Sequence, residues 1–150
     1  MPELVLTTKI AAPPERCFAL SLSVDAHTDS MKASGERIVA GVRSGSMALG
    51  DTVTWQARHF GISFRMTSKI AEFDAPTRFV DEQTHGPFAS WWHEHRFEGT
   101  EVHTVMTDVV RYRSPAGPVG RLADRVILQR YMTRLLVQRN VWLKQELERE

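Results

Sequence analysis

Between residues 35 and 113 the apolar side chains recur at every second position, which commits this stretch to extended structure. Residues 62–70 show it most clearly. Ile62, Phe64, Met66, Ser68 and Ile70 fall on one face, and Ser63, Arg65, Thr67 and Lys69 on the other. One wet face and one covered face is the pattern of an antiparallel sheet. Turn residues at Phe60-Gly61, at 74–77 (Asp-Ala-Pro-Thr), at Gly86-Pro87 and at Gly99-Thr100 divide the stretch into consecutive strands, so the sheet is a meander. Several runs reach ten or more residues, about 35–40 Å when extended. Strands of that length twist and curl, and the curl makes one face concave.

The flanks have another period. Residues 4–10 read as a strand, stopped by Pro13-Pro14, and Pro14 suits the first turn of a helix, where no N–H is needed. Residues 15–22 then place Cys17, Phe18 and Leu22 at helical offsets, with a second short helix near 24–31. A Pro/Gly-rich break at 114–118 precedes a last helical segment. There Leu128, Tyr131, Met132, Leu135, Trp142 and Leu143 form one stripe, with Arg130, Arg134, Gln138 and Gln145 off it. A helix over 129–149 would be about 30 Å long, enough to lie along the concave face. The order is β-α-α-β(5-6)-α, an α+β fold in one domain over residues 1–150 with the helices on one face of the sheet.

Composition narrows the classes of function. A chain of 150 residues buries about two thirds of its unfolded surface, enough for a core without staples. The single cysteine, Cys17, excludes an internal disulfide and a cysteine-based zinc cluster, and its place beside Phe18 predicts inert core filling. No apolar stretch is long enough to insert in a membrane, and the Met-Pro-Glu start lacks a secretory pattern, so a cytoplasmic location is expected. Residues 1–110 carry 10 basic and 14 acidic side chains, and residues 111–150 carry 9 and 4. The arginines of this basic tail alternate with leucines at helical spacing. They predict a solvated helix back, not a nucleic-acid surface. There is no Gly-rich phosphate loop, no Gly-x-Ser-x-Gly and no His-Glu-x-x-His, so no cofactor is expected. Oligomeric state has no signature in these residues.

Alternation also assigns the faces of the later strands. Ala89, Trp91, His93, His95 and Phe97 alternate with the charged set containing Glu94 and Arg96, so the first set points inward. On the next strand the inward set is Val102, Thr104, Met106, Asp108, Val110 and Tyr112, which puts a carboxylate on an apolar face. Val53, Trp55 and Ala57 point inward on an earlier hairpin.

The segments TTKIAAPPERCFALS (7–21), RFVDEQTHGPFASWWHEHRFEG (78–99) and VMTDVVRYRSPAGPVGRLADR (105–125) resemble the START-like superfamily. Its helix-grip fold is shared by birch-pollen-type allergens and polyketide cyclases. The resemblance covers nearly the whole chain. It implies a curved antiparallel sheet gripping a long C-terminal helix, with an apolar cavity between them that holds any site. It does not fix an activity, because carriers, enzymes and regulators share this fold.

Three readings of His93 and His95 stand open. They hydrogen-bond to Asp108 or backbone as part of a partly wet interior; they contact a ligand; or they serve metal binding or acid/base chemistry. His-x-His on a strand is a spacing that metal sites use, with Asp108 available as a third ligand. No metal or catalytic residue is assigned on this basis. Arg139 is a further anomaly, since the helical wheel puts it within the apolar stripe of Leu128, Leu135 and Trp142. It must pair with a carboxylate such as Asp108, meet an acidic ligand, or reach a rim with its stem on Trp142.

The leading expectation is binding or transport of a small apolar or amphipathic ligand. Trp55, Phe64, Met66, Trp91, Met106, Tyr112 and Leu135 would form its surroundings, with His93, His95, Asp108 and Arg139 orienting its polar end. The alternatives are a cofactor-free cyclase or dehydratase acting on a polyketide-like substrate, and a protein- or membrane-interaction module built on the basic helix.

Overall fold

A computed structural model of the chain describes residues 3–32, 35–59, 61–114 and 127–149. The strands are β1 (Glu3–Ile10), β2 (Arg37–Gly41), β3 (Thr52–His59), β4 (Ile62–Asp74), β5 (Arg78–His85), β6 (Ser90–Gly99) and β7 (Thr104–Arg113). Helices α1 (Pro14–Ser21) and α2 (Val24–Ser30) follow β1, and α3 (Gln129–Glu148) follows β7. The break expected at 114–118 lies, after residue 114, outside the described residues.

All seven strands join one antiparallel sheet in the order β1-β7-β6-β5-β4-β3-β2. The meander accounts for β2 to β7, and β1 returns to pair with β7 along its whole length, Leu6 opposite Asp108. Register shifts between Thr67 and Ser68 and between Ile70 and Glu72 interrupt the β4–β5 ladder, and another interrupts β2–β3 between Ile38 and Ala40. Such extra residues bend a strand and add to its twist, so a 13-residue β4 curls instead of running flat.

Local chemistry sets the helix starts. Pro13 is extended and Pro14 opens α1. Ser23 caps α2 by accepting from the Ala26 N–H at 3.1 Å. Phe18 anchors α1 with edge-to-face contacts to Phe73, Phe79 and Phe97 at centroid distances of 5.4–5.6 Å. Cys17 is a buried free thiol, as its helical position requires. The far end of α3 is tied to the β1–α1 corner, where Glu148 accepts the Ala11 N–H at 2.8 Å. On α3, Leu135 and Leu143 are buried and Arg130, Arg134, Gln138 and Gln145 are exposed, in accord with the stripe. The stripe is wider than expected, for Leu136, Asn140 and Leu147 are buried too.

The inward faces hold as read, with three corrections at strand ends. Ala89 is exposed because it precedes β6, and its neighbour Phe88 packs against Trp91 and Tyr112 in its place. Val102 is 63% exposed because it lies in the turn before β7, and Ile62 is 57% exposed at the first residue of β4. Trp55, Trp91, His93, His95, Phe97, Met106, Asp108, Val110 and Tyr112 are all buried. Glu94, on the opposite face, is buried as well, between Arg78 and Arg96.

The core is split in two. A large cluster holds Ile10, Phe18, Phe79, Phe97, Met106, Leu143 and Leu147, and a smaller one holds Leu4, Trp91, Val110, Tyr112 and Leu136. Between them, on β6, β7 and α3, lie His93, His95, Asp108, Arg139 and Asn140. Among the described residues, no helix is long and apolar enough to cross a membrane.

The β2–β3 irregularity requires one glycine. Gly41 has φ +81°, and a Cβ there would stand 2.3 Å from the Thr52 carbonyl oxygen. Gly41→Ala should therefore lower the unfolding free energy by about 2–3 kcal/mol in urea denaturation, from a left-handed backbone plus a clash with main chain. An unchanged midpoint would show that this edge of the sheet yields freely.

Candidate functional site

The concave face and α3 enclose a cavity of about 450 Å³, within the range of small-molecule sites. Eight of the eleven sequence candidates line it: Trp55, Phe64, Met66, Trp91, His93, His95, Leu135 and Arg139. Most of the wall is apolar. The other three, Met106, Asp108 and Tyr112, are wholly buried and do not line it. Met106 and Tyr112 belong to the two apolar clusters, and Asp108 is in contact with groups that do reach the wall.

Asp108 is the hub. Its Oδ1 accepts from Arg139 Nη2 at 2.6 Å and from His93 Nε2 at 2.8 Å, and its Oδ2 accepts from Asn140 Nδ2 at 2.8 Å. Arg139 also donates to Asn140 Oδ1 through Nη2 at 2.8 Å and Nε at 3.1 Å. The Arg139–carboxylate contact expected from the helical wheel is thus present, with Asp108 as the carboxylate. Burial alone would raise the Asp108 pKa, but Arg139 and the His93 bond outweigh it and hold the carboxyl well below its ordinary range.

Asp81 is a site residue that the sequence does not single out. It lies on β5 directly opposite His93, two residues after the buried Phe79. That alternation could have placed it on the inner face, but the register opposite the histidines is a tertiary fact. Its Oδ2 accepts from His95 Nε2 at 2.7 Å and stands 4.0 Å from His93 Nδ1. Burial would raise the Asp81 pKa, but the His95 bond and the nearby charges lower it. The two imidazoles stack 3.7 Å apart, each with one nitrogen toward Asp81 and the other toward Asp108. His95 also stacks on Phe79 at 4.1 Å. Burial, together with His93 alongside, pushes the His95 pKa down to about 4.

Two more polar pairs on the wall have no counterpart in the sequence reading. His27 on α2 bonds to Glu36, and its ring lies 4.1 Å from that of Trp55. The Tyr131 hydroxyl pairs with His59 Nδ1 at 2.6 Å, joining α3 to the end of β3. Burial lowers the His59 pKa and raises that of Tyr131, so both groups are held in their neutral forms. Isolated polar residues in strands and helices carry no sequence mark of such pairing.

No family model matches the chain, and no curated protein matches it in sequence. Solved structures do match in fold. A protein of Thermus thermophilus superposes with a TM-score of 0.79 at 20% identity, over 97% of each chain. An aromatase/cyclase of a Streptomyces species, Zhui, also gives 0.79, at 16% identity, over 99% of this chain and 94% of its own. The major latex-like protein 151 of Panax ginseng gives 0.65 at 13% identity, over 97% of each chain. The chain therefore has the helix-grip fold, an α+β architecture with a curved sheet around a C-terminal helix. At these identities the likeness is one of fold.

The histidine environment sets a pH dependence. Unfolded, His95 would titrate near its ordinary value of about 6.5. Folded, it stays neutral to about 4. Between those values the unfolded chain binds the extra proton, so stability falls as pH drops, by about 1.4 kcal/mol per pH unit for this one group. The lowered Asp108 pKa adds stability that is present above about pH 4 and lost as pH falls through the folded value. Urea denaturation at pH 7.5, 6 and 5 should show loss beginning near 6.5. A flat profile down to pH 5 would mean that His95 takes up its proton normally in the fold.

Proposed function

We propose that the protein binds a small apolar or amphipathic molecule in the cavity between the sheet and α3. The observation that carries this reading is an apolar cavity of about 450 Å³ bounded on one side by buried ionisable groups. Contact with Trp55, Phe64, Met66, Trp91 and Leu135 removes apolar surface from water, which supplies most of the affinity at about 25 cal/mol per Å². His93, His95 and Arg139 meet the polar end of the ligand, with Asp108 fixing His93 and Arg139 from behind and Asp81 holding His95. Flat indoles and flexible thioethers accept irregular shapes, so selection rests on size and on the polar end.

A second reading is favoured by the two His–Asp pairs. An imidazole oriented by a carboxylate can move a proton, and both rings line the cavity. On this reading the protein is a cofactor-free cyclase or dehydratase for a polyketide-like substrate, and its likeness in fold to the Streptomyces aromatase/cyclase lends support.

One experiment addresses both. Freshly purified protein is weighed by native mass spectrometry, then denatured and extracted, and the emptied protein is challenged with apolar and polyketide-like compounds. The expected result is a one-to-one adduct released intact on unfolding, with tryptophan fluorescence altered by the compounds that displace it. A chemically altered compound, absent when His93→Gln and His95→Gln are used, would move the assignment to the enzyme. An apo mass unchanged across the panel would overturn the ligand reading.

A further inference from the structure

His93 and His95 stand between two carboxylates, each ring with one nitrogen toward Asp81 and the other toward Asp108. A neutral imidazole carries one N–H and one lone pair. His93 gives its Nε2 proton to Asp108, which leaves the Nδ1 lone pair toward Asp81 Oδ2 at 4.0 Å. His95 gives its Nε2 proton to Asp81, which leaves a buried Nδ1 with no hydrogen-bond partner, 3.4 Å from Asp108 Oδ1. Moving the His95 proton to Nδ1 only transfers the conflict to Asp81.

We propose that Asp81 Oδ2, His93 Nδ1 and His95 Nε2 form a binding site for a zinc-class divalent metal ion. A cation there takes the lone pairs of both rings and the Asp81 oxygen together. His93 Nε2–H and His95 Nδ1–H then both point at Asp108, which becomes the outer carboxylate that orients metal-bound histidines. One ligand atom from each of the three residues lies within 4.8 Å of the others. A tetrahedral site needs separations of about 3.4 Å, so the donors close up and the two stacked rings turn until their in-plane lone pairs meet at the ion. The donors stand on adjacent strands of one sheet, Asp81 directly opposite His93 and His95 two residues on. Two imidazoles and a carboxylate suit a borderline ion such as Zn²⁺ better than Mg²⁺ or Ca²⁺. All three residues line the cavity, so the fourth coordination position falls on its open side. Asp108, which the His-x-His spacing offered as the third ligand, instead lies behind the rings, and Asp81 takes that place.

The inference does not depend on the organic ligand, and its test uses none. Chelator-treated protein is titrated with Co²⁺, followed by its visible absorption, and with Zn²⁺ in competition with a chromophoric chelator. The expected result is one equivalent with a four-coordinate cobalt spectrum. Asp81→Asn should weaken binding at least 100-fold, and Asp108→Asn, a positioning change, by about 10–100-fold with a displaced cobalt band. ¹⁵N spectra of the unsubstituted protein should show His93 Nδ1 and His95 Nε2 shifting on addition of one equivalent of Zn²⁺. That measurement decides the matter even if a variant fails to fold. No stoichiometric binding, affinity unchanged in folded Asp81→Asn, or shifts confined to other histidines would each overturn the site.

Discussion

The carboxylate of Asp108 is the constraint around which the interior is organised. It is wholly buried, yet it accepts hydrogen bonds from β6, through His93, and from α3, through Arg139 and Asn140. An uncompensated charge at that depth costs several kcal/mol, so sheet and helix must meet in the one register that supplies its partners. Apolar packing alone tolerates sliding of a helix over a sheet. The polar layer does not, and it fixes which turn of α3 faces which residue of β7.

The same layer explains how a packed domain keeps a cavity with chemistry at its wall. It divides the core into two clusters, and of its groups facing the cavity His93 and Arg139 are held from behind by Asp108 and Asn140, while His95 is held by Asp81 on the wall itself. Such outer support is what makes a site geometrically reliable.

How much of this was legible in the sequence follows from the range of each interaction. Period two in 62–70 and the alternation around His93, His95 and Asp108 are local, and they identified strands and inner faces correctly. The anomaly of Arg139 was also local, because one cation within an apolar helical stripe demands a buried partner. Asp81 was not legible in the same way. Its inner position could be inferred from Phe79, but its place opposite His93 depends on the β5–β6 register. The pairs His27–Glu36 and His59–Tyr131 join elements distant in the chain, and nothing in either residue's neighbours announces the other. The errors at Ile62, Ala89 and Val102 came from carrying an alternating pattern to the end of a strand or just outside it.

The most direct test of this account is a double-mutant cycle between Asp108 and Arg139, with Asp108→Leu, Arg139→Met and the two combined, followed by urea denaturation. Each single change strands a buried charge and should cost about 3–5 kcal/mol. The account predicts that the double variant loses much less than the sum, because neither charge is left without its partner. Losses that add to within about 0.5 kcal/mol would show two independent residues, and the polar layer would then not be what joins helix to sheet.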